Sequence, residues 1–263
     1  MTDKFTALLD FLPQVWEGIQ VTLILTVAGA AGALVIAIVL GLAMTSAHGW
    51  LRIPAQIIVE FFRGTSLLVQ LFWLFYVLPL FDVQLDPMLC GIGALALNYG
   101  AYSAEVVRSS IATVPKGQWE AAIALSLSPA RRMLRVIFPQ AWALMIPSLA
   151  TLLIQLLKGT AVVSFITLSD LNDKIGQLRM STNDTFFAYS VGLLIYFVIA
   201  WLLQEFMNFL ERRAVKRLGR RRPNSRTDRR AARREARVGA TQVAGPQTPA
   251  GQGTGNVGTE GPL

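Results

Sequence analysis

The sequence predicts an all-α integral membrane protein with about five transmembrane helices. Hydrophobic residues make up 53% of its 263 residues, charged residues make up only 15%, and the mean hydropathy is +0.48. The chain contains apolar stretches that are long enough, or nearly so, for a span of about 20 residues. We predict spans at about Ile19–Ala43, Gly64–Leu80, Met88–Val107, Ala141–Ile166 and Phe187–Gln204. The second is short, but the amphipathic segment before it, Ile53–Phe62, can extend that helix along the interface.

The first span carries small residues at every fourth position, namely Gly29, Ala33, Ala37 and Gly41. Small residues at this spacing let another helix approach closely in lipid. Packing within the chain is the simpler interpretation, and a dimerisation stripe is the alternative. Residues 1–18 have an acidic balance, which is the wrong charge for the start of a signal peptide. We therefore expect the first span to stay in the mature protein and residues 1–18 to form an extracytoplasmic segment.

A polar interruption, PKGQWEAAIALSLSPARRMLRVIFPQ, lies between the third and fourth spans. It predicts two short helices outside the membrane. The first covers about Gly117–Leu127. The second has Ser128 as N-cap and Pro129 at the first helical position, and it ends near Pro139. A structured helix pair beside the membrane implies a partner that binds it.

Basic residues are concentrated after residue 211. Residues 1–211 carry 11 lysines and arginines against 13 acidic residues, a net charge of −2, whereas residues 212–237 carry 13 basic against 2 acidic residues, a net charge of +11. We favour an anchor that contacts anionic lipid. Binding to nucleic acid is the alternative, but such segments need aromatic interleaving or a folded frame. From residue 239 the Gly, Pro, Thr and Gln content predicts disorder. The predicted domains are therefore an N-terminal segment (1–18), a membrane domain (19–211) and a cytoplasmic tail (212–263).

The charges of the loops predict the orientation. With the N-terminus outside, the outer segments hold Lys4, Lys174 and Arg179. The inner segments then hold seven basic residues before the tail is counted: Arg52, Arg63, Arg108, Lys116, Arg131, Arg132 and Arg135. Because cytoplasmic loops are enriched in lysine and arginine, we place the polar interruption and the C-terminus in the cytoplasm.

The sequence predicts no catalytic, metal or nucleotide site. Cys90 and His48 are each the only residue of their type, so neither a disulfide nor a metal cluster is expected. For His48 we favour an interfacial structural role over a proton relay. The pattern G-x-x-x-x-G-K-[ST] is absent, because Lys116 and Lys158 both lack the required glycine. We therefore predict that the chain is not an enzyme, and that any ATP and Mg are bound by a separate ATPase polypeptide.

Charged residues within the spans form two candidate structural ion pairs. Glu60 and Arg63 are three positions apart, as are Glu105 and Arg108, so each pair can meet on one helical face. Both pairs lie near predicted cytoplasmic ends. Direct contact with a substrate is the alternative interpretation.

Lys158 lies deep within the fourth predicted span. A lysine at such depth costs about 2.5–3.5 kcal/mol on insertion scales, so we expect it to face a cavity or a partner. Six other polar residues are candidates for the same translocation path: Gln70, Asn98, Tyr99, Tyr102, Gln155 and Thr160. For each of these, a hydrogen bond between helices is the alternative.

Three segments resemble a known family. They are FRGTSLLVQLFWLFYVLP (62–79), LNYGAYSAEVVRSSIATVPKGQWEAA (97–122) and LLKGTAVVSFITLSDL (156–171). In this order they are similar to permeases of the polar amino acid (histidine/glutamine-type) ABC importers, and the similarity covers about residues 19–211. The five-span topology of that family, with the N-terminus outside, agrees with the hydropathy and the loop charges.

The resemblance implies the type I ABC importer permease fold, with a cytoplasmic coupling-helix loop, in a bacterial inner membrane. Two permease subunits, either copies or paralogues, would form the path, two ATPase subunits would bind beneath it, and a binding protein would deliver solute from outside. The loop residues that the family motif implies are Gly117, Glu120, Ala121, Ala122, Ser126 and Pro139. Ala121 and Ala122 would give the clearance to dock in an ATPase groove, and Glu120 would supply a charge for recognition.

The chain departs from the family pattern at two positions. Ser126 stands where the family usually has glycine, and Ser66 stands where it usually has proline. Serine tolerates a left-handed backbone less well than glycine, which bears on the geometry of the loop. Segments such as IALSLSPARRM and LLIYFVIA resemble ectoine/hydroxyectoine importer permeases, which suggests a compatible solute as cargo.

Two other functions compete with the importer permease. A self-sufficient secondary transporter or channel predicts inverted repeats or paired broken helices, which the sequence does not show. It also leaves the polar helix pair unexplained. A membrane scaffold without transport activity would use the basic tail for recruitment.

Overall fold

The structure is a bundle of α-helices, which confirms the predicted fold class. A computed structural model describes residues 2–217, with side-chain burial over residues 9–213, and this part of the chain contains no strand. The predicted tail lies outside the described residues from residue 218 onward. The first helix, α1, is continuous over Thr2–Met44. The predicted N-terminal segment is therefore the helical start of α1 rather than a separate element.

The small residues of α1 pack against α4, which covers Pro87–Ala112. A Cβ atom added to Gly41 would lie 2.6 Å from Cβ of Val107, and one added to Gly29 would lie 3.2 Å from Cβ of Leu95. Such close approach is possible only without side chains, as expected for small residues at a helix contact in lipid. Packing within the chain thus accounts for the small-residue stripe.

The helices α1 and α4 run in the same direction, because the contacts advance together along both. Gly29 lies beside Leu95, Ile36 beside Gly100, and Gly41 beside Val107. Two adjacent parallel helices require the chain between them to return along the bundle. This return agrees with the predicted second span between α1 and α4.

The returning chain consists of α2 (Gly49–Gly64), α3 (Leu67–Phe72), a π-helical turn (Trp73–Val77) and a 3₁₀ turn (Leu78–Phe81). The direction changes by 102° at the break after α2. Val59 of α2 packs with Ala101 and Ala104, whereas Cys90 at the other end of α4 lies 3.7 Å (Sγ–O) from Leu74. The segment is therefore antiparallel to α4.

Three helical stretches are long and apolar enough to cross a membrane, at Leu9–Met44, Pro129–Ile166 and Thr185–Arg213, and the bent α2–α3 pair makes a fourth candidate. The remaining predicted span, Met88–Val107, lies in α4. The 26 residues of α4 give a length of about 39 Å at 1.5 Å per residue. It is less apolar because it is enclosed by neighbouring helices, as the consecutive buried positions Ala94, Leu95 and Ala96 indicate. Its alignment with α1 places it at the same depth, so five spans remain our prediction.

The polar interruption forms α5 (Lys116–Ala124) and α6 (Pro129–Arg132). Ser128 precedes α6 and Pro129 begins it, as predicted. The predicted end near Pro139 is wrong, because the chain continues through a π-helical turn (Met133–Ile137) into α7 (Phe138–Gly159). The wider turn accommodates the proline: Phe138 N–H donates to Met133 O in the π pattern, and Pro139 at the start of α7 needs no donor.

A 3₁₀ turn (Thr160–Ile166) connects α7 to α8 (Leu171–Thr182), and α9 (Thr185–Arg217) follows. The start of α8 lies against the middle of α1, where Leu171 N–H donates to Thr22 Oγ1 at 3.1 Å. The helices α7 and α9 are antiparallel. Ala188 and Ile199, in the first half of α9, share a core cluster with Leu157 at the end of α7, whereas Met207 and Leu210, further along α9, line a groove with earlier residues of α7. The α5–α6 loop therefore lies at the opposite end of the bundle from α8.

Candidate translocation path and coupling loop

Three of the predicted path residues donate hydrogen bonds to backbone carbonyls at the break between α2 and α3. The Phe62 carbonyl accepts hydrogen bonds from Gln70 Nε2 at 2.9 Å and from Asn98 Nδ2 at 3.2 Å. The Arg63 carbonyl accepts one from the Tyr102 hydroxyl at 3.1 Å. The last carbonyls of a helix have no partner within the helix, and these side chains supply one. Gln70, Asn98 and Tyr102 thus hold the 102° bend in place.

Polar side chains form an exposed face along α7. Ser148, Thr151, Gln155 and Lys158 are all exposed and recur every three or four residues, so they lie on one side of the helix. We call them the α7 polar face. Polar and charged groups in a span almost always face a water-filled cavity or another protein surface rather than lipid. The α7 polar face therefore indicates either a solute path or a contact with a second subunit.

The other two predicted path residues have structural contacts close to this face. The Tyr99 hydroxyl donates to the Gln155 carbonyl at 2.8 Å, which joins α4 to α7. Thr160 is completely buried, and its hydroxyl donates to the Leu157 carbonyl at 2.7 Å. Tyr99 and Thr160 therefore contribute to packing, while the side chains of Gln155 and Lys158 project from the bundle.

The four residues of the two predicted ion pairs lie in a single charged cluster where α2 crosses α4. Glu60, Arg63, Glu105 and Arg108 line one polar cavity of about 270 Å³. Arg108 forms a two-pronged ion pair with Glu105, with Nε 3.0 Å from Oε2. Arg63 instead lies over the ring of Tyr102, 5.4 Å from its centroid, and among the described residues no ion pair joins it to Glu60. In place of the predicted pair with Glu60, Arg63 thus contacts Tyr102 of the neighbouring helix α4.

The end of α5 is a complete Schellman motif. Ser126 has φ = 54°, its N–H donates to Ile123 O at 2.8 Å, and Leu127 N–H donates to Ala122 O at 3.1 Å. These are the two hydrogen bonds of the motif, with Ser126 in the left-handed position that usually holds glycine. The loop therefore keeps this turn although serine replaces the expected glycine.

The surface of α5 differs from the prediction at one alanine. Ala122 is only 2% exposed because one face of this short helix rests on its own chain, so Ala122 is not available to a partner. Glu120 and Ala121 are exposed, as are the apolar side chains of Ile123 (58%) and Leu125 (74%). The exposed face is thus an apolar patch beside one acidic group.

Side-chain contacts tie α5 firmly to the start of the α6–α7 helix. Gln140 Nε2 donates to Gln118 Oε1 at 3.0 Å, and the guanidinium of Arg132 lies over the ring of Trp119. Trp119 also packs on the core cluster that contains Ile137. Sequence reasoning missed these contacts, because residues this far apart show no periodic signal. These contacts hold α5 against the start of the α6–α7 helix.

A buried polar cluster lies at the other end of the bundle and was also missed. Asp170 is completely buried at the N-cap of α8, where Oδ1 accepts a hydrogen bond from Asp173 N–H at 3.0 Å. Its Oδ2 has no hydrogen-bond partner among the described residues, and neither has the buried hydroxyl of Tyr196. Burial raises the pKa of the Asp170 carboxyl to about 6. Only the fold brings these groups together.

The chain matches the model of the family described as "Binding-protein-dependent transport system inner membrane component" over residues 33–216. It is 40% identical over 219 residues, or 81% of this chain and 92% of the relative, to the "Probable amino-acid ABC transporter permease protein y4tF" of Sinorhizobium fredii (strain NBRC 101917 / NGR234). It is 37% identical over 205 residues, or 78% of this chain and 88% of the relative, to the "L-cystine transport system permease protein TcyB" of Bacillus subtilis (strain 168).

Solved structures show the same fold. A chain of the "Crystal structure of an amino acid ABC transporter with histidines" superposes with a TM-score of 0.73 at 32% identity, covering 80% of this chain and 98% of the other. A chain of the MetNI methionine ABC transporter superposes with a TM-score of 0.68 at 20% identity, covering 76% and 96%, which supports the fold alone. The family is a non-enzymatic, multi-pass membrane subunit that works with a separate ATPase and a binding protein. The chain therefore belongs to the permease family of binding-protein-dependent ABC transport systems.

Proposed function

We propose that this permease forms the translocation path of an importer for a polar amino acid. The observation that carries the proposal is the joining of an exposed cytosolic helix, α5, to a membrane helix that bears the α7 polar face. The names of the relatives support an amino acid as solute, since one is an L-cystine permease and another an amino-acid permease. None of the names cited here points to ectoine.

The α7 polar face is the proposed wall of the path. Gln155 and Lys158 project from it, and a zwitterionic amino acid offers a carboxylate that a lysine can pair with. A second permease subunit, either a copy or a paralogue, would close the path on the opposite side. Gln70, Asn98 and Tyr102 support this path indirectly by holding the α2–α3 bend.

The α5 helix is the proposed coupling element. Two ATPase subunits, which would bind the ATP and Mg, would each receive one α5, with Glu120 and Ala121 exposed to the partner and Ile123 and Leu125 covered by it. Gln118 and Trp119 would transmit the motion to α7 through Gln140 and Arg132. The loop charges support a cytoplasmic α5, an extracytoplasmic N-terminus and a cytoplasmic C-terminus, with the basic tail on anionic lipid.

Reconstitution tests the proposed transport mechanism. The chain is placed in vesicles with its ATPase and binding protein, and uptake of labelled amino acids is measured with and without ATP. We expect uptake only when all components and ATP are present. ATP-independent uptake by this chain alone would instead indicate a secondary transporter or channel.

Ligand screening of the cognate binding protein tests the solute. Thermal shift against the amino acids, ectoine and hydroxyectoine should show stabilisation by a polar amino acid, because bound ligand raises the apparent stability of the folded protein. Selective stabilisation by ectoine would contradict the amino-acid proposal without affecting the assignment of the family.

A further inference from the structure

A second feature of the bundle has no part in the proposed path. A groove of about 750 Å³ runs between α1, α7 and α9, with Tyr99 and Ser103 of α4 also lining it, and we call it the α7–α9 groove. Its lining is almost wholly apolar and includes Leu153 and Leu210. The small side chains of Ala30 and Ala33 on α1 leave room for the groove. Arg213 lines the same groove. This charge lies at the α5 end of the bundle, because α9 runs antiparallel to α7 and Arg213 is near the C-terminal end of α9.

The groove lies on the opposite side of α7 from the α7 polar face. Ile146, Leu149, Leu153 and Leu156 line it and recur every three or four residues, whereas the exposed polar residues occupy the positions out of phase with them. If the polar face borders the solute path, the groove faces the surrounding membrane. With the solute path and the second permease on the polar side of α7, the groove on the other side is in contact with lipid.

The shape and charge of the groove match one phospholipid. It follows α7 from Phe138 to Leu156, which is about 27 Å at 1.5 Å per residue and close to the roughly 30 Å thickness of the hydrocarbon core. We propose that the groove holds the acyl chains of an anionic glycerophospholipid from the leaflet at the α5 end, with its phosphate paired to Arg213. Long apolar walls suit the chains, and an arginine suits the phosphate because its guanidinium can bind phosphate through two hydrogen bonds.

Trp142 offers a direct probe, because it lines the groove. The full-length chain is reconstituted in phosphatidylcholine vesicles that contain phosphatidylglycerol with brominated acyl chains, which quench nearby indoles. The contribution of Trp142 is the difference between each variant and the same variant with Trp142→Phe. We expect stronger quenching of Trp142 by brominated phosphatidylglycerol than by brominated phosphatidylcholine at equal mole fraction. Equal quenching by the two lipids would overturn the proposal.

Paired variants separate the site from general attraction to an anionic surface. Arg213→Gln should lower the preference for phosphatidylglycerol about tenfold, because it removes charge-assisted hydrogen bonds to the bound phosphate. Arg212→Gln is the matched control, because Arg212 is exposed beside it but does not line the groove. An equal loss in both variants would contradict the site.

Two further variants test the acyl-chain part. Ala143→Phe places a ring in the groove and should abolish the selective quenching, whereas Val39→Phe, at an exposed position outside the groove, should leave it unchanged. A disulfide between two copies carrying Leu153→Cys would show that another permease fills the groove, and would overturn the lipid proposal. The lipid proposal rests on the proposed membrane orientation. Because fluorescence quenching does not depend on transport, the lipid proposal and the proposed transport function can fail separately.

Discussion

The guanidinium of Arg132 lies over the indole ring of Trp119, 5.7 Å from the ring centroid. This contact joins α6 to α5 across the Schellman turn at Ser126, and the hydrogen bond between Gln118 and Gln140 adds a second connection. A cation–π contact of this kind contributes about 0.5–1 kcal/mol at an exposed site. Together the two contacts hold α5 and the start of the α6–α7 helix in a fixed relative position.

We predict that Glu120→Lys abolishes ATP-driven uptake while membrane insertion persists. Glu120 is exposed on α5, so a lysine there does not disturb the packing of the chain but reverses the charge offered to the ATPase. Uptake and ATPase stimulation in reconstituted vesicles measure the effect. Glu205→Lys, at an exposed position of α9, is the control. Normal transport by the Glu120→Lys variant would show that α5 is not the coupling element.

Gly117→Leu should weaken binding of the ATPase subunit without loss of stability in the permease. A Cβ atom added at this position would meet no atom of the chain beyond its own helix and neighbours within 4 Å, so we expect a clash only with a bound partner. Co-purification of the ATPase subunit and the thermal unfolding of the permease give the two readouts. Gly176→Leu on α8 has the same freedom at the other end of the bundle and should leave ATPase binding intact. If Gly117→Leu bound the ATPase normally, this part of α5 would lie outside the interface.

Ser126→Gly should stabilise the α5–α6 turn. A residue with a side chain in the left-handed conformation destabilises the folded state by roughly 1–2 kcal/mol. Glycine removes this cost, but its greater freedom in the unfolded chain destabilises the folded state by about 0.5–1 kcal/mol. A net gain of up to about 1.5 kcal/mol should appear as slower proteolysis in the loop. Ser128→Gly is the control, because Ser128 has φ = −60° and gains nothing from glycine. Equal effects of the two substitutions would contradict the role of the φ of Ser126.

Lys158→Met should impair transport while assembly is preserved. Lys158 projects from the α7 polar face, and the proposed path uses its charge to pair with a solute carboxylate. We expect uptake to fall about tenfold, equivalent to about 1.4 kcal/mol. Lys174→Met is the control, because Lys174 lies 3.6 Å (Nζ–Oε2) from Glu17 at the α8 end. Unchanged uptake kinetics in Lys158→Met would leave Lys158 only a packing or anchoring role.

Asp170 should make stability depend on pH. Its carboxyl has a pKa of about 6 in the folded protein against an ordinary 3.8, so the folded state binds the proton more tightly than the unfolded state. Stability is then greatest below pH 4 as far as this group is concerned, and it falls as pH rises towards 6, by up to about 3 kcal/mol. Thermal unfolding of the full chain in detergent between pH 4 and pH 8 measures this loss.

Asp170→Asn should flatten this pH dependence and raise the stability at pH 7, because asparagine caps a helix as well as aspartate and carries no charge. Asp86→Asn is the control: Asp86 caps α4 through a hydrogen bond from Met88 N–H at 3.0 Å, but at an exposed position. An unchanged slope in Asp170→Asn would show that the buried carboxyl is not the titrating group.

The sequence alone predicted the features of this protein that depend on residues close together in the chain. The lengths of the apolar stretches predicted a membrane bundle, and Pro129 after Ser128 predicted the start of α6. The family motif predicted the loop at Glu120. Pro139 was misleading, because a proline ends a regular helix but a π-helical turn before it lets the helix continue.

The tertiary structure alone decided the part that each polar residue plays. Gln70 and Gln155 look alike in the sequence, yet Gln70 is buried against the Phe62 carbonyl while Gln155 projects from α7. Likewise, Asp170 becomes a buried carboxyl only where α8 packs on α1. Spacing along a helix shows which side chains share a face, because the backbone geometry of the helix alone sets the direction of each side chain. What each face meets depends on the neighbouring helices, and that relationship exists only in the assembled bundle.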